Sequence, residues 1–414
     1  MKILFIAPGS PPYMFSENIV NGKLVLAFKK EGWDVDVLSK RDDGEVYSDS
    51  WTSPFRSLQE ITHEITYPKG SRILRLFDFI HSSIILRGFP VNGVRWGKRA
   101  YQKAMELLKE NNYDLIITRS PNDIAHLVGY KISKKTKIPW IANWNDPSTT
   151  IWPEPYKHKL SFFKNKILTR FTSEALKKAN FNTFPSKTLK NHFSRHFPFL
   201  DNERTEVIPH ISLIGYKAKS VSFKEESNNS LRLCHAGNLS SERNPDLLLQ
   251  TIKKIKDENS MIVNLDIMGV VNKYTENLIN KYNLQNQIKF IGAFKYIDAL
   301  NKMSKYDVLV IIEAEMESGI FFPSKLVDYN QANVPILAIS PNTGYAKDLF
   351  LKYPAGITVN NKDKNDIFEK ISKLANLKLK NKLTTEFDFE SLQSVYSSEE
   401  IIRKYKAIFK KLKL

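Results

Sequence analysis

A lysine and an aspartate stand three residues apart in GIFFPSKLVDYNQANVPILAIS, residues 319–340, just behind Pro323. Pro323 suits the first turn of a helix, where a missing N–H costs nothing. Lys325 and Asp328 then share one helical face, and residues 334–339 form the short apolar run of a buried parallel strand. Two readings fit the pair. It is either a surface ion pair worth under about 1 kcal/mol, or a cation for phosphate beside a carboxylate for ribose hydroxyls, a device of dinucleotide-binding sheets. A second cation bears on the choice. The loop GNLSSERNP, residues 237–245, follows the apolar run LRLCHA. Flexible backbone at Gly237 and the N–H groups of that turn suit a diphosphate. The guanidinium fork of Arg243 matches phosphate oxygens, although an Arg in an exposed loop is often only solvated. Three acids, Glu313, Glu315 and Glu317, end YDVLVIIEAEME; a solvated strand end is their plain alternative. Asp34 and Asp36 alternate with valines and read as solvent-facing strand residues. The sequence has no Cys/His cluster with zinc spacing.

Elements that would position these groups alternate along the chain. KILFIAP is a strand, residues 19–30 an amphipathic helix, and WDVDVLS a second strand; YDLIITRS, a helix over 123–134, and IPWIANW follow. This alternation predicts a parallel sheet with helices on both faces. After TEVIPHI comes KAKSVSFKEESNNS, polar and loop-like, which reads as a domain junction. The pattern then restarts with LRLCHAG, a helix over 245–256, VNLDIMG, IKFIG, YDVLVII, VPILAIS and GITV. Two doubly wound halves would bind ligands at their strand carboxyl ends, in a cleft. The tail carries Ile401, Tyr405, Ile408 and Leu412 along one helical face, fit to pack back across the domains.

A chain of 414 residues is too long for one core and suggests two domains. One cysteine, Cys234, excludes an internal disulfide and fits a reducing compartment. MKILFIAPGSPPY has too brief an apolar run for a signal peptide. No window approaches the ~20 apolar residues of a membrane span. The expectation is a soluble, cytoplasmic protein. The net charge of +18 is uneven: residues 51–200 hold 25 Lys/Arg against 10 Asp/Glu. Such a field draws nucleic acid, anionic lipid or phosphorylated small molecules alike. Against a nucleic-acid-binding protein, no RNP, helix-turn-helix or finger signature appears. Segments 71–99 and 151–170 interleave basic and apolar residues, suiting either an anionic membrane surface or ordinary basic helices capping the first sheet.

Taken in order, KILFIAPGSPPYMFSENIVNGKLVLAFKKEGWDVDVLS, YDLIITRSPNDIAHLVGYKISKKTKIPWIANWNDP, HAGNLSSERNPDLLLQTI and FFPSKLVDYNQANVPILA resemble a family 4 retaining glycosyltransferase of the GT-B architecture. The last resembles the Pro-Ser-Lys-Leu-x-Glu-Tyr signature of bacterial surface-polysaccharide members. The resemblance implies two Rossmann-like domains, 1–215 on the acceptor side and 216–385 on the nucleotide-sugar side, with a crossover helix over 386–414. It implies a UDP- or GDP-linked sugar donor, a saccharide or lipid-linked acceptor, peripheral contact with anionic membrane, and no metal. Donor binding falls to Gly237, Asn238, Arg243, Ser324, Lys325 and Asp328. Asp328 stands where the family has the second Glu of Glu-x7-Glu, and Ile320 stands where the first would be, so the sugar-hydroxyl role passes to Glu317. His126 corresponds to a family histidine near the donor sugar; Glu317 and His126 are thus the catalytic candidates. Asn18, in SENIVNG, and Asp146, in NWNDP, fall on the acceptor side. Such a chain transfers sugar in capsule or O-antigen synthesis; a nucleotide-sugar epimerase of similar architecture is the alternative.

Overall fold

An apolar run with no polar interruption leaves neither face fit for water, so it becomes a strand covered on both sides. Val308–Ile312 is such a run, buried at every position, and Leu115–Arg119 is equally buried although it ends on Thr118 and Arg119. The structure, a computed structural model, describes residues 1–11, 16–41, 51, 53–66, 70–86, 89, 91–121, 123–218, 230–258 and 261–414. It divides into two units, one of residues 1–214 with 398–414 and one of residues 215–397.

In the first unit the strands are β1 (Lys2–Ile6), β2 (Asp34–Lys40), β3 (Thr62–Ile65), β4 (Leu115–Arg119), β5 (Trp140–Asn143), β6 (Phe181–Phe184) and β7 (Thr205–Val207). All pair in parallel, in the order β3-β2-β1-β4-β5-β6-β7. The second unit has β8 (Ser230–Ala236), β9 (Ile262–Met268), β10 (Ile288–Phe290), β11 (Val308–Ile312), β12 (Ile336–Ser340) and β13 (Gly356–Asn360). These are also parallel, in the order β10-β9-β8-β11-β12-β13. Both sheets are thus Rossmann-like and doubly wound, as expected. In each, strand order reverses beside the unit's first strand, at β1/β4 and at β8/β11. Beyond the carboxyl ends of strands at such a reversal lies the crevice where open α/β sheets take ligands.

Several local expectations change on inspection. The first helix begins at Ser16 rather than Ile19, and Gly22 sits inside it because a Cβ there would meet the Phe55 ring at 2.7 Å. Asp34 is exposed, but Asp36 is not a simple solvent-facing residue. It accepts from Tyr113 Oη (2.6 Å) and meets His63 Nε2 (3.1 Å) and Lys2 Nζ (3.4 Å). The His63 bond, outweighing burial, helps hold its carboxyl down at about 2. The junction stretch lies, over 219–229, outside the described residues. The tail runs as two helices, Phe389–Tyr396 in the second unit and Ser398–Leu412 in the first. Ile401, Tyr405 and Ile408 are buried there, Tyr405 edge-on to Phe28 at 5.0 Å and Phe409 beside Trp33 at 4.9 Å. Among the described residues no helix is long and apolar enough to cross a membrane.

Helix Arg72–Ile85 reverses the usual arrangement. Its apolar residues Ile73, Leu74, Leu76, Phe77 and Ile84 are each more than half exposed. It is held instead by Asp78, which takes Arg95, Lys98 Nζ (3.0 Å) and Arg99 Nη2 (3.1 Å) from helix Val94–Glu110. Burial works to raise the Asp78 pKa, but these three donors together hold it far below the carboxylate range.

Candidate functional site

β8 ends at Ala236 because Gly237, at φ 129°, turns the chain where an L side chain rarely goes. A Cβ at Gly237 would also run into Lys325 Nζ. The lysine is brought there by helix Lys325–Gln331, whose Tyr329 Oη accepts from Ala236 N (2.8 Å) and lies 3.4 Å from Val310 O. That hydroxyl ties the helix to β8 and β11 together. Lys325 Nζ lies 3.2 Å from His235 Nε2. The other ring nitrogen, Nδ1, is 2.9 Å from Val310 O and must be its donor, so Nε2 accepts from the ammonium. Burial, and next the charge of Arg243, lower the Lys325 pKa to about 7. His235 is likewise held neutral by burial and by Lys325.

The loop after Gly237 is fixed without using its cation. Asn238 Oδ1 accepts from Val270 N (3.1 Å), and Arg243 N donates to Ser240 Oγ (3.2 Å). The Arg243 side chain is exposed. Ser324 precedes the helix at Lys325, and its side chain makes no capping bond. Asp328 Oδ1 accepts from Tyr296 Oη at 2.6 Å. The structure therefore gathers Gly237, Asn238, Ser324 and Lys325 around the end of β8, with Arg243 close enough to shift Lys325 electrostatically.

The three acids after β11 part company. Glu315 and Glu317 are exposed, while Glu313 is buried with Oε2 lacking a partner. Burial raises its pKa to about 7, against the pull of Arg243. Glu313 helps line a cavity of about 300 Å³ with Glu242, Asn244, Asp246, Glu315 and Asn361.

In the first unit, His126 is wholly buried, its ring 4.0 Å from that of Trp144. Its Nδ1 is 2.8 Å from Thr118 Oγ1, which itself accepts from Trp140 Nε1 (2.8 Å). The other ring nitrogen, Nε2, is buried and has no partner. Burial lowers the His126 pKa to about 3. Asn18 spends its Nδ2 on Ser10 O (2.8 Å). Its neighbour Glu17, which the sequence reading passed over, joins Arg119 and Asn145 at the β1/β4 reversal. Arg119 Nη2 lies 3.6 Å from Glu17 and 3.1 Å from Asn145 Oδ1, and Asn145 Nδ2 donates to Glu17. Asp146 adds its charge to this group. Burial raises the Glu17 pKa to about 8, Arg119 opposing and Asp146 assisting. Among the described residues no group of three or more His, Cys, Asp or Glu is placed to hold a metal.

Residues 19–211 match the family model Glycosyltransferase Family 4, and residues 218–387 match Glycosyl transferases group 1. A sucrose-phosphate synthase from Thermosynechococcus elongatus superposes with a TM-score of 0.71 at 15% identity, over 99% of this chain and 98% of that one. Anabaena HepE, in complex with UDP and glucose, gives 0.63 at 17% identity, over 98% and 100%. A putative UDP-N-acetylglucosamine 2-epimerase from Listeria monocytogenes gives 0.59 at 13%, over 99% and 97%. At these identities the likeness is one of fold. No curated protein matches the chain in sequence.

Proposed function

We propose that this chain, a family 4-type glycosyltransferase in its N-terminal half and a group 1 glycosyltransferase in its C-terminal half, moves a sugar from a UDP- or GDP-linked donor to a saccharide or lipid-linked saccharide. The setting is bacterial cell-surface polysaccharide synthesis, capsule or O antigen, at the cytoplasmic side of the membrane. The observation that carries the donor reading is the Lys325 ammonium, seated beneath Gly237 on a neutral imidazole, with a second cation, Arg243, beside it. Two neighbouring cations repel until an anion lies on both, and a diphosphate supplies that anion.

On this reading Lys325 and Arg243 stabilise the charge that grows on the departing diphosphate. They supply what a divalent metal supplies elsewhere, so transfer should survive EDTA. Asp328 faces ribose and Glu317 a sugar hydroxyl, while His126, wholly buried in the first unit, keeps its ring neutral. Asn18 and Asp146, with Glu17 now beside them, serve the acceptor. Transfer proceeds with retention at the anomeric carbon, which NMR of the product would check directly. The exposed apolar residues of Arg72–Ile85, flanked by Arg72 and Arg75, suit anionic membrane, as do Phe162 and Phe163 beside Lys164 and Lys166.

A melting screen with UDP, GDP, ADP and their sugars tests the donor site. Bound nucleotide should raise the melting temperature, and a null result across all three bases would sink the reading. The epimerase likeness supports a second reading on the same fold. Protein mixed with donor alone separates the two: an epimerase converts the sugar, whereas a transferase awaits an acceptor.

A further inference from the structure

Arg243 acts in two directions, on Lys325 and on Glu313. Beyond Glu313 lies the cavity of about 300 Å³ bounded by the carboxyl ends of β11 and β13 and by the loop before helix Asp246–Asp257. Most of its polar groups are already engaged. Asp246 takes Tyr282 Oη and Gln250 Nε2, each at 2.7 Å, and Glu242 takes Ser240 Oγ at 2.7 Å. Two buried acceptors are not. Glu313 is 8% exposed and Asn361 6%, and both Glu313 Oε2 and Asn361 Oδ1 lack a partner. The Asn361 amide cannot be turned round to cure this. Its Nδ2 donates to Glu313 O (3.3 Å) and Ala314 O (3.0 Å), which fixes Oδ1 as the idle atom.

A buried acceptor without a donor is destabilising, and a native fold that keeps two in one cavity wall is poised for a ligand that donates. The ligand must bring two donors and reach the cations that hold its anion. It must also tolerate Glu242, Glu313 and Glu315 around it, with Lys362 the one cation among the lining residues. A sugar hydroxyl, amide or amine satisfies this; a sugar carboxylate meets like charge.

We propose that this cavity holds the transferred sugar of the donor, donating to Glu313 Oε2 and Asn361 Oδ1, and that it admits neutral or amino hexoses while rejecting uronic acids. This rests on the diphosphate reading of Lys325 and Arg243. It makes Glu313 a specificity-determining residue alongside Glu317.

Calorimetric titration tests it. UDP, GDP, UDP-glucose, UDP-galactose, UDP-N-acetylglucosamine, GDP-mannose and UDP-glucuronate are each titrated into wild type, Glu313→Leu and Glu313→Gln. Leu fills the volume without an acceptor, and Gln keeps one acceptor should Leu fail to fold. The Kd of the preferred hexose nucleotide should rise about tenfold in Glu313→Leu and less in Glu313→Gln. The Kd of the bare nucleoside diphosphate should move less than about twofold. UDP-glucuronate should bind worse than the neutral hexoses. The inference is overturned if sugar nucleotide and bare nucleotide change together or not at all, or if UDP-glucuronate binds as well as the best hexose nucleotide. If no nucleoside diphosphate binds wild type, the diphosphate reading itself fails and takes this inference with it.

Discussion

Lys325 gives its hydrogen bond to the neutral ring of His235, and its burial beside Arg243 leaves it with a pKa of about 7. Around that nitrogen stand Arg243, His235 and the thiol of Cys234, itself pushed up to about 12 by burial and next by Asp266. A bound diphosphate favours the ammonium, so binding draws in a proton near neutral pH. Affinity for a nucleotide sugar should therefore fall as pH rises from 6 to 8, with proton uptake seen as a dependence of binding heat on buffer. A flat profile would mean that Lys325 is charged throughout. Asp328→Ala should weaken nucleotide binding by about 1.5–3 kcal/mol, with Asp328→Asn intermediate, since an amide oxygen still accepts. Unchanged affinity in a folded Asp328→Ala protein would return the carboxylate to a purely local bond with Tyr296. Glu17 allows a test by stability. Its carboxyl titrates at about 8 in the fold and near 4.5 when unfolded, so the native state holds an extra proton between those values. Stability should then fall as pH rises through that window, by up to about 1.4 kcal/mol per pH unit. Glu17→Gln, measured by urea unfolding at pH 5 and pH 7.5, should flatten the slope. Gly237, Arg243, Lys325 and Asp328 could be picked out in the sequence because each carries its own local pattern. Glu313 stands in the sequence only as one of three adjacent acids, and His235 and Asn361 show no local pattern, because what matters in them is a missing or distant partner: Val310 lies 75 residues from His235, and Glu313 lies 48 from Asn361.

At the scale of elements, the longer strands were legible because a run buried on both faces is largely apolar. The short strands β3, β6 and β7 carried no such run: THEI, FNTF and TEV take their place from the neighbouring ladder. Helix Arg72–Ile85 was ambiguous for a different reason. Interleaved basic and apolar residues say that a helix has two characters, but not which one faces the protein. The answer is the polar one, through Asp78. Vesicles with anionic lipid should therefore bind the protein, the binding fading as salt screens the charge. Replacing Leu76 and Phe77 by Ser should weaken that binding without lowering the melting temperature, since both side chains are already in water. Asp78→Ala should do the opposite to stability, leaving Arg95, Lys98 and Arg99 crowded without a counter-charge, at a cost of about 1.5–3 kcal/mol. Equal binding to neutral and anionic vesicles would remove the electrostatic part of this reading.

At the scale of the molecule, the two units repeat one plan, a doubly wound parallel sheet with its polar cluster at the strand-order reversal. The first gathers Glu17, Arg119 and Asn145 there, and the second Gly237, Lys325 and Glu313. The repetition is visible in the sequence only as alternation, since strand order is set by crossover connections that leave no local trace. The units differ in how the chain completes them. The second is one continuous stretch, whereas the first needs Ser398–Leu412 to cover Phe28 and Trp33. A chain stopped at Ser397 should keep the unfolding transition of the second unit. It should lose or greatly lower that of the first, for want of Ile401, Tyr405 and Ile408, each worth roughly 1.5–3 kcal/mol of burial.

That discontinuity has a consequence during synthesis. Residues 1–214 are made before the second unit, yet the residues that cover Phe28 and Trp33 are made only after it. At a typical elongation rate of about 5–20 residues per second, the nascent first unit waits on the order of ten seconds or more with this apolar patch uncovered, while the second unit, made later, can fold at once. The half translated first is thus the half completed last, and in that interval the newborn chain is most open to chaperone capture or aggregation.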